Sequence, residues 1–390
     1  MSTAAPGTKR GLAGVVADTT AVSVIDEQTG TLLYRGYPVP ELAASCRFEE
    51  VAYLIWHGEL PTPAQLETFT AAERAARGAP RELTDALARL PLTCDPMDVL
   101  RTAVSYLGAL EPVDEHPAGP PGPHPGADER LDLEKSLSLW AKLPTIVAAE
   151  QRRRRGQAPI APDISLAFAE NFFHMCFGSV PDAEVVRGFE ISLILYAEHG
   201  FNASTFTARV ITSTLSDLYS AVTGAVGALK GSLHGGANEA VMAIFEQLSA
   251  PDDVPAWLAG TLAEGGKVMG FGHRVYKHGD SRVPTMQGAL DELARRSEEG
   301  RQLMAVYDRL QRAMLESKGL YPNLDYPTGP VYHLMGFDRP TFTPIFVMSR
   351  VTGWTAHVIE QKAHNALIRP LSAYVGTSRR AVPDRPLPGQ

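Results

Sequence analysis

Three histidines in glycine-rich surroundings are the residues of this sequence best placed to do chemistry. His199 stands in "YAEHGFNAST", His234 in "KGSLHGGANEAV" and His273 in "GFGHRVYKHGDSR"; Gly200 is expected to end the helix that leads into His199. Glycine removes side-chain bulk, so backbone and imidazole can approach a small ligand together. One histidine beside a glycine is often only a cap or a half-buried residue, whereas the three segments together predict a binding pocket.

Arginines that could hold an anion accompany these histidines. Arg282 closes the same stretch as His273, Arg350 lies in the apolar run "FTPIFVMSRVTGW", and Arg369 lies in "NALIRPLSAY". A surface or ion-pair role is open for each, but a guanidinium inside an apolar helix needs a partner. Planar guanidinium groups bind carboxylates through paired hydrogen bonds. Histidines and arginines together therefore predict a pocket for a small polyanion.

Asp325, in "YPNLDYPTG", is a carboxylate in a turn-rich segment between two prolines. By itself this segment is an ordinary turn in which the aspartate caps a neighbouring amide. Two other kinds of site are not predicted. "KGSLHGG" lacks the G-x-x-x-x-G-K-[ST] spacing of a nucleoside triphosphate loop, and neither HExxH nor paired metal-ligand spacings occur, so no metal site is expected.

The elements that must position these residues are mostly helices. Apolar residues recur at helical spacing in the segment that begins at Phe48 and in two later segments. Thr343 followed by Pro344 predicts a helix start, which places Arg350 about two turns inside that helix. "VSVIDEQTGTLLYRGY" alternates around a Thr29-Gly30 turn and predicts a short hairpin. No βαβ alternation is present, so the fold is expected to be helical.

The composition is that of a globular protein with an acidic balance. The chain has 390 residues, 44% of them hydrophobic, and 36 Lys+Arg against 44 Asp+Glu give a net charge of −8. Such a chain repels nucleic acid and anionic membranes, so neither is an expected partner. No secretory signal or bilayer-length apolar run is visible, and we expect a cytoplasmic protein. The basic run from Arg152 to Arg155 is expected to be a solvated helix end.

The segments without periodicity are expected to be surface chain. Pro112 to Glu129, "PVDEHPAGPPGPHPGADE", cannot continue a helix and predicts a surface loop within one domain. Met1 to Arg10 and Thr377 to Gln390 are typical of flexible tails. The cysteines are odd in number and far apart, so free thiols are expected. They are Cys46, Cys94 and Cys176.

Several of these segments, in the same order, resemble the motifs of the citrate synthase superfamily. They are "AEHGFNAST", "GSLHGGANEAV", "GFGHRVYKHGDSR", "PNLD", "FTPIFVMSRVTGW" and "NALIRP". The likeness runs from about Gly11 to Gly376. The N-terminal segments "GLAGVVADTTAVSVID" and "FEEVAYLIWHGELPT" look most like the 2-methylcitrate synthase branch.

The resemblance implies an all-α fold in which a small helical domain is inserted into a large one. Residues 1–230 and 335–390 would form the large domain and residues 231–334 the small one, with approximate boundaries. The small domain would carry His234 and Asp325 and close over the substrates, which excludes water during the reaction. We therefore expect oxaloacetate to bind before the acyl-CoA.

The resemblance also implies a reaction, the condensation of an acyl-CoA with oxaloacetate followed by hydrolysis of the thioester, without a metal or redox cofactor. Asp325 would take the α-proton of the acyl group. His234, oriented by Ser204, would donate a hydrogen bond to the thioester oxygen, and His273 would polarise the ketone of oxaloacetate. The residues implied to bind oxaloacetate or to support its site are His199, Asn202, Ser204, Arg282, Arg350 and Arg369.

Partners and substrate follow from the same resemblance. Arg369 would come from the partner subunit of a homodimer, and Lys277 and Lys318 would bind coenzyme A phosphates. Propionyl-CoA is the favoured substrate, with appreciable turnover of acetyl-CoA, because one methylene is worth only about 1 to 3 kcal/mol in a pocket.

Three other functions stay open at this point. The nearest is a plain citrate synthase of the citric acid cycle. A citryl-CoA lyase would share the pocket, but the chain offers no nucleotide-grasp region. A non-catalytic helical acyl-CoA-binding or regulatory protein is disfavoured by the intact set of Asp325, His234 and His273.

Overall fold

Helices account for most of the regular structure, as the sequence predicts. The computed structural model describes residues 9–12, 14–111, 125–276 and 279–382. In chain order the α-helices are α1 Val39–Ser45, α2 Phe48–His57, α3 Pro63–Ala76, α4 Arg81–Leu87, α5 Pro96–Leu110, α6 Pro125–Arg154, α7 Phe168–Phe177, α8 Ala183–Tyr196, α9 Ala203–Ser213, α10 Leu218–Leu229, α11 Ala237–Phe245, α12 Val254–Ala263, α13 Val283–Ala294, α14 Glu298–Lys318, α15 Asp325–Leu334 and α16 Phe342–Ala363. Short 3-10 turns lie at Arg10–Leu12, Pro251–Asp253 and Arg339–Thr341.

A small antiparallel sheet precedes the helices. Strands β1 (Ser23–Ile25) and β2 (Leu32–Tyr34) form the predicted hairpin, with Gly30 in its turn at a φ of +68°. A third strand, β3 (Tyr37–Pro38), pairs with β2 and was not predicted. Its turn contains Gly36 at a φ of +89°, a conformation that suits glycine because it has no Cβ.

Helix α16 is the central element of the core. It packs against α2, α5, α6, α8, α9 and α10, and its residues are buried along nearly the whole length. A helix buried on all sides must satisfy every polar side chain that it carries, and α16 carries Arg350 and His357. The helix begins at Phe342 with Thr341 as its N-cap, two residues before the predicted start with Thr343 as the cap and Pro344 as the first helical residue. The N–H of Thr343 in this first turn donates to Glu239 of α11 at 3.2 Å.

The basic run from Arg152 to Arg155 lies at the end of α6, as predicted, but Arg152, Arg153 and Arg154 are half-buried and bonded to neighbouring groups, so the expectation that the run is solvated is wrong for them. Arg153 and Arg154 each bond Glu150 through Nε at 2.7 Å, and Arg155 pairs with Asp338 at 2.7 Å. Arg152 donates to the carbonyl of Cys176 at 3.2 Å. These guanidinium groups therefore bind carbonyl groups of neighbouring segments, among them that of Cys176 in the last turn of α7 and that of Leu90.

The remaining expectations concern the irregular segments. Residues 112–124 of the predicted Pro112 to Glu129 loop lie outside the described residues, and helix α6 already begins at Pro125, so the last part of that segment is helical. Proline fits a first helical turn because its missing N–H would have no helical partner there. All three cysteines are free. No helix in the described ranges is both long and apolar enough to cross a bilayer. The division into two domains stays a prediction.

Gly353 lets α16 approach the turn after α8. A Cβ at Gly353 would lie 2.6 Å from the carbonyl oxygen of Ala197 and would also overlap Oε2 of Glu198. We expect Gly353→Ala to lower the free energy of unfolding by about 1 to 3 kcal/mol through overpacking, measured by urea denaturation.

The matched control for this prediction is Gly260→Ala in α12. Gly260 is exposed, and no atom lies within 4 Å of its added Cβ. Here alanine should raise the free energy of unfolding by up to about 1 kcal/mol, because it loses less backbone entropy than glycine in a helix. Equal effects of the two substitutions would contradict the packing argument.

Candidate active site

The open carbonyl groups at the end of α8 anchor two arginines. Arg350 donates from Nε to the carbonyl of Tyr196 at 2.7 Å, and Arg282 donates from Nη1 to the carbonyl of Leu195 at 3.3 Å. Cations are stabilised at a helix C-terminus by the helix dipole. The helix ends at Tyr196, before the predicted terminator Gly200, which lies further on at a φ of +57°.

The guanidinium of Arg350 keeps its outer edge unpaired. Only 2% of the residue is exposed, and its guanidinium lies 4.7 Å from the ring centroid of Phe346. Among the described residues, only its Nε has a hydrogen-bond partner. Burial lowers the pKa of Arg350, and the carboxylate of Glu198 opposes that shift. Two terminal amino groups remain that can bind the carboxylate of a ligand.

Arg282 instead has a carboxylate partner that the sequence analysis missed. Asp280 accepts from its Nε at 2.9 Å and from its Nη2 at 2.7 Å, and also from the backbone N–H of Leu324 at 3.2 Å. Burial opposes ionisation of Asp280, but Arg282 outweighs it and lowers the pKa to about 2. The D-x-R spacing in "GDSR" was the available signal. Asp280 thus joins the His273 segment to the chain just before Asp325.

The glycines beside His273 help to join the same two segments, the one that contains His273 and the one that precedes Asp325. Gly270 and Gly272 have φ values of +89° and +77°, and this backbone pairs with the segment before Asp325. Gly272 N–H donates to the carbonyl of Tyr321 at 2.8 Å, and the N–H of Asn323 donates to the carbonyl of Gly270 at 2.9 Å. A Cβ at Gly270 would lie 2.6 Å from Val241, so the close approach requires glycine.

His234 is held with a defined proton position. Its Nε2 accepts from the backbone N–H of Ser204 at 3.2 Å and lies 2.7 Å from Oγ of Ser204, which in turn accepts from the indole of Trp354 at 3.0 Å. A neutral imidazole whose Nε2 accepts must carry its proton on Nδ1. Burial, aided by Arg350, lowers the pKa of His234 to about 4. At pH 7 it is a neutral donor at Nδ1.

His273 has the opposite arrangement. Its Nδ1 accepts from the backbone N–H groups of Val275 at 3.1 Å and Tyr276 at 3.3 Å, which leaves the proton on Nε2. Burial, and then Arg282, lower the pKa of His273 to about 4. The ring of His199 lies against it, with 5.1 Å between the centroids. Burial lowers the pKa of His199 well below its usual range.

Asp325 is the first residue of α15 and accepts a hydrogen bond from the hydroxyl of Tyr196 at 2.6 Å. Loss of water contact raises the pKa of Asp325 to about 6, although the Tyr196 hydrogen bond and the charge of Arg282 oppose the shift. A carboxylate with this pKa is ionised at neutral pH and still able to accept a proton.

The other predicted residues are placed less centrally. Asn202 caps α9: its Oδ1 accepts from the N–H of Thr205 at 3.0 Å and lies 2.8 Å from Oγ of Ser204. Lys318 is the exposed last residue of α14, and Lys277 lies outside the described residues. Arg369 is exposed in the irregular chain after α16, and no hydrogen bond joins it to the described site residues.

The site thus combines a carboxylate, neutral histidines and guanidinium groups around one region. Arg350 is close enough to shift the pKa of His199, His234 and Asp325 together. Such a set can remove a proton from a weakly acidic carbon and stabilise the negative charge that develops on oxygen.

Comparison with known proteins identifies what this chain is similar to. The family described as "Citrate synthase, C-terminal domain" matches residues 11–371. A 2-methylcitrate synthase of Mycobacterium tuberculosis H37Rv is 57% identical over 97% of this chain and 93% of its own length. A citrate synthase of Mycolicibacterium smegmatis is 56% identical over 97% and 98%. The ternary complex of Thermoplasma acidophilum citrate synthase with carboxymethyl coenzyme A and oxaloacetate has a TM-score of 0.87 at 33% identity, covering 96% of this chain and 97% of that one.

Replacing Asp280 tests how much its buried ion pair with Arg282 stabilises the protein. Asp280→Asn leaves Arg282 buried without a carboxylate, so we expect the free energy of unfolding to fall by about 3 to 5 kcal/mol in urea denaturation at pH 7. Because the pKa of Asp280 is depressed to about 2, its stabilisation is present above its ordinary pKa of about 3.9 and is lost below it. The difference between wild type and variant should therefore be constant from pH 7 to about pH 4 and shrink at lower pH.

The control is Asp85→Asn, which removes a carboxylate 3.6 Å from the exposed Arg81. A solvated pair of this kind should change stability by less than about 1 kcal/mol. If Asp280→Asn lowers the free energy of unfolding by no more than Asp85→Asn does, the ion pair of Asp280 with Arg282 does not stabilise the protein.

Proposed function

The chain belongs to the citrate synthase family and is an enzyme that condenses an acyl-CoA with oxaloacetate, and we propose that its acyl substrate is propionyl-CoA and its products are 2-methylcitrate and free coenzyme A. The observation that carries the reaction is Asp325, a buried carboxylate whose pKa is raised to about 6 and which accepts a hydrogen bond from Tyr196. The choice of propionyl-CoA is supported by the similarity to 2-methylcitrate synthases. The alternative of a non-catalytic regulatory protein is set aside by the family.

Asp325 is the proposed base. It takes the α-proton of the acyl group, a contribution typically worth about 10² to 10⁴ in rate. The Nδ1–H of His234 donates to the thioester oxygen as the enolate forms, and loss of such a donor costs about 2.7 to 4 kcal/mol. Both groups are in the required protonation state at pH 7: burial lowers the pKa of His234 to about 4, and the pKa of Asp325, although burial raises it, reaches only about 6 because Tyr196 and the nearby arginines oppose the shift.

The second half of the proposed site holds oxaloacetate. The Nε2–H of His273 donates to its ketone oxygen, so the enolate attacks a polarised carbon, and water then hydrolyses the citryl-type thioester to release coenzyme A. The outer amino groups of Arg350 bind one carboxylate, because its inner Nε is already committed to the carbonyl of Tyr196. Arg282, oriented by Asp280, binds another. No cofactor is needed for these steps, and that prediction is checked by activity after dialysis against EDTA.

A citrate synthase using acetyl-CoA is the second candidate. The Mycolicibacterium smegmatis relative bears that name at nearly the same identity as the 2-methylcitrate synthases. Acetyl and propionyl groups differ by one methylene, worth about 1 to 3 kcal/mol, so a single pocket can turn over both. A cytoplasmic location and closure of the small domain over the substrates also belong to the proposal.

The homodimer is proposed on the position of Arg369. It lies in an irregular segment where Leu371 and Tyr374 are 92% and 79% exposed, so this segment has apolar side chains that the single chain leaves uncovered. A second copy of the chain would cover them and receive Arg369 in its oxaloacetate site. Each site would then be built from both subunits.

Substrate choice is tested by oxaloacetate-dependent release of the CoA thiol. We expect kcat/KM for propionyl-CoA to exceed that for acetyl-CoA by about tenfold or more. Asp325→Ala should lower kcat by about 10² to 10⁴, whereas the exposed Asp85→Asn should leave it unchanged. The rate should fall as pH drops below about 6, because Asp325 becomes protonated. No release with either thioester would refute the enzyme, and a preference for acetyl-CoA would make it a citrate synthase.

Subunit sharing is tested by mixing two inactive variants. Arg369→Ala and Asp325→Ala are each expected to be nearly inactive as homodimers. In a mixed dimer, the subunit with Asp325 receives Arg369 from the other, so one of the two sites is intact. After subunit exchange of equal amounts, about a quarter of wild-type activity should return. No recovery, with mixed dimers shown by mass spectrometry, would place Arg369 in its own subunit's site or outside any site.

A further inference from the structure

Tyr276 lies in a chain of hydrogen bonds that no part of the proposed mechanism uses. Its hydroxyl is 3.3 Å from Nε2 of His199 and 3.4 Å from Oγ of Ser281. Oγ of Ser281 accepts from the backbone N–H of Leu32 in β2 at 3.2 Å. Tyr276 is 8% exposed, so water competes little for these contacts. This series of hydrogen bonds leads from the N-terminal sheet to the predicted oxaloacetate site.

These hydrogen bonds can be oriented in one way that gives every donor an acceptor. The amide of Leu32 can only donate, and the serine hydroxyl that accepts from it then donates its single proton to the oxygen of Tyr276. The proton of Tyr276 is left for Nε2 of His199, since Ser281, the other polar group that contacts this hydroxyl among the described residues, already donates to it. A neutral His199 that accepts at Nε2 carries its proton on Nδ1.

The remaining nitrogen of His199 is the one available to a ligand. No hydrogen bond to its Nδ1 is present in the described part of the chain. Burial, and then the charge of Arg282, lower the pKa of His199 well below its ordinary value, so the ring is neutral and its tautomer decides what it can donate. A ligand with carboxylate and ketone oxygens needs a donor at this position.

Tyr276 also acts on the second histidine. Its ring centroid lies 4.7 Å from that of His273 and 5.6 Å from that of His199. Its backbone N–H is one of the two donors that place the proton of His273 on Nε2. One residue therefore contacts both histidines, through its backbone for one and through its side chain for the other.

We infer that Tyr276 is a positioning residue for oxaloacetate, whose hydroxyl, oriented by Ser281, holds His199 in the tautomer that donates from Nδ1. The inference rests on the proposed function, because it assumes that oxaloacetate is the ligand. Both hydroxyl contacts, at 3.3 and 3.4 Å, are longer than the range of about 2.5 to 3.2 Å that is usual for protein hydrogen bonds. The hydroxyl therefore biases the proton position, and its loss should weaken binding several-fold and no more.

The test is Tyr276→Phe, which keeps the ring and the backbone donor and removes only the hydroxyl. Calorimetric titration of the full-length enzyme with oxaloacetate alone should show a Kd raised about five- to tenfold, as for loss of one modest hydrogen bond. KM for oxaloacetate should rise by a similar factor, while KM for the acyl-CoA changes less than about twofold. Ser281→Ala should weaken oxaloacetate binding in the same direction and by less.

The matched control is Tyr307→Phe in α14. Tyr307 is fully buried, and its hydroxyl has no hydrogen-bond partner among the described residues, so removing it should leave oxaloacetate binding unchanged. Ring-nitrogen chemical shifts of 15N-labelled His199, assigned with His199→Gln, provide a readout that a purely structural role would not move. Wild type should show a protonated Nδ1, and Tyr276→Phe should show exchange between tautomers.

The outcomes separate this inference from the proposed function. If wild type does not bind oxaloacetate, the proposed function fails. If wild type binds and Tyr276→Phe binds equally well, or keeps the same His199 tautomer, the inference alone is wrong. Equal weakening of both substrates together with a lower Tm than that of Tyr307→Phe would also overturn it, because Tyr276 would then serve the fold.

Discussion

The C-terminal end of α8 is the constraint on which the site depends. A helix end leaves carbonyl groups without helical partners. Here buried cations bind them: Arg350 donates a hydrogen bond to the carbonyl of Tyr196, and Arg282 donates one to the carbonyl of Leu195. The hydroxyl of Tyr34 donates to the carbonyl of Ile194 at 3.1 Å. Two guanidinium groups can be buried here because the helix end compensates part of their desolvation.

The positive charge so created sets the protonation of its neighbours. Burial favours neutral histidines, and the nearby guanidinium groups add to that effect at His199, His234 and His273. The same cations favour ionised Asp325, which limits how far burial raises its pKa. A base that is ionised and donors that are neutral at the same pH follow from one arrangement of charge.

Backbone pairing then joins the two halves of the site. Gly270 and Gly272 bring the His273 segment against the residues that precede Asp325, and Asp280 links Arg282 to the amide of Leu324. Movement of either segment would be transmitted to the other, since Asp280 is buried and its carboxylate is shared. The bare backbone around His273 therefore serves the assembly of the site as well as access for a ligand.

The sequence by itself determined the helical class, the N-terminal hairpin, the family and the segments that carry the candidate residues, because helical periodicity, turn residues and motif order are local properties of the chain. Its errors at the end of α8, the start of α16 and the basic run arose where side chains distant in sequence satisfy the backbone groups. Only the tertiary structure decided that Arg282 has Asp280 as its partner while Arg350 keeps free amino groups, and which nitrogen of each histidine carries the proton. Those properties depend on contacts such as Ser204 with His234 and Tyr276 with His199, and no local pattern encodes the direction of a hydrogen bond between separate segments.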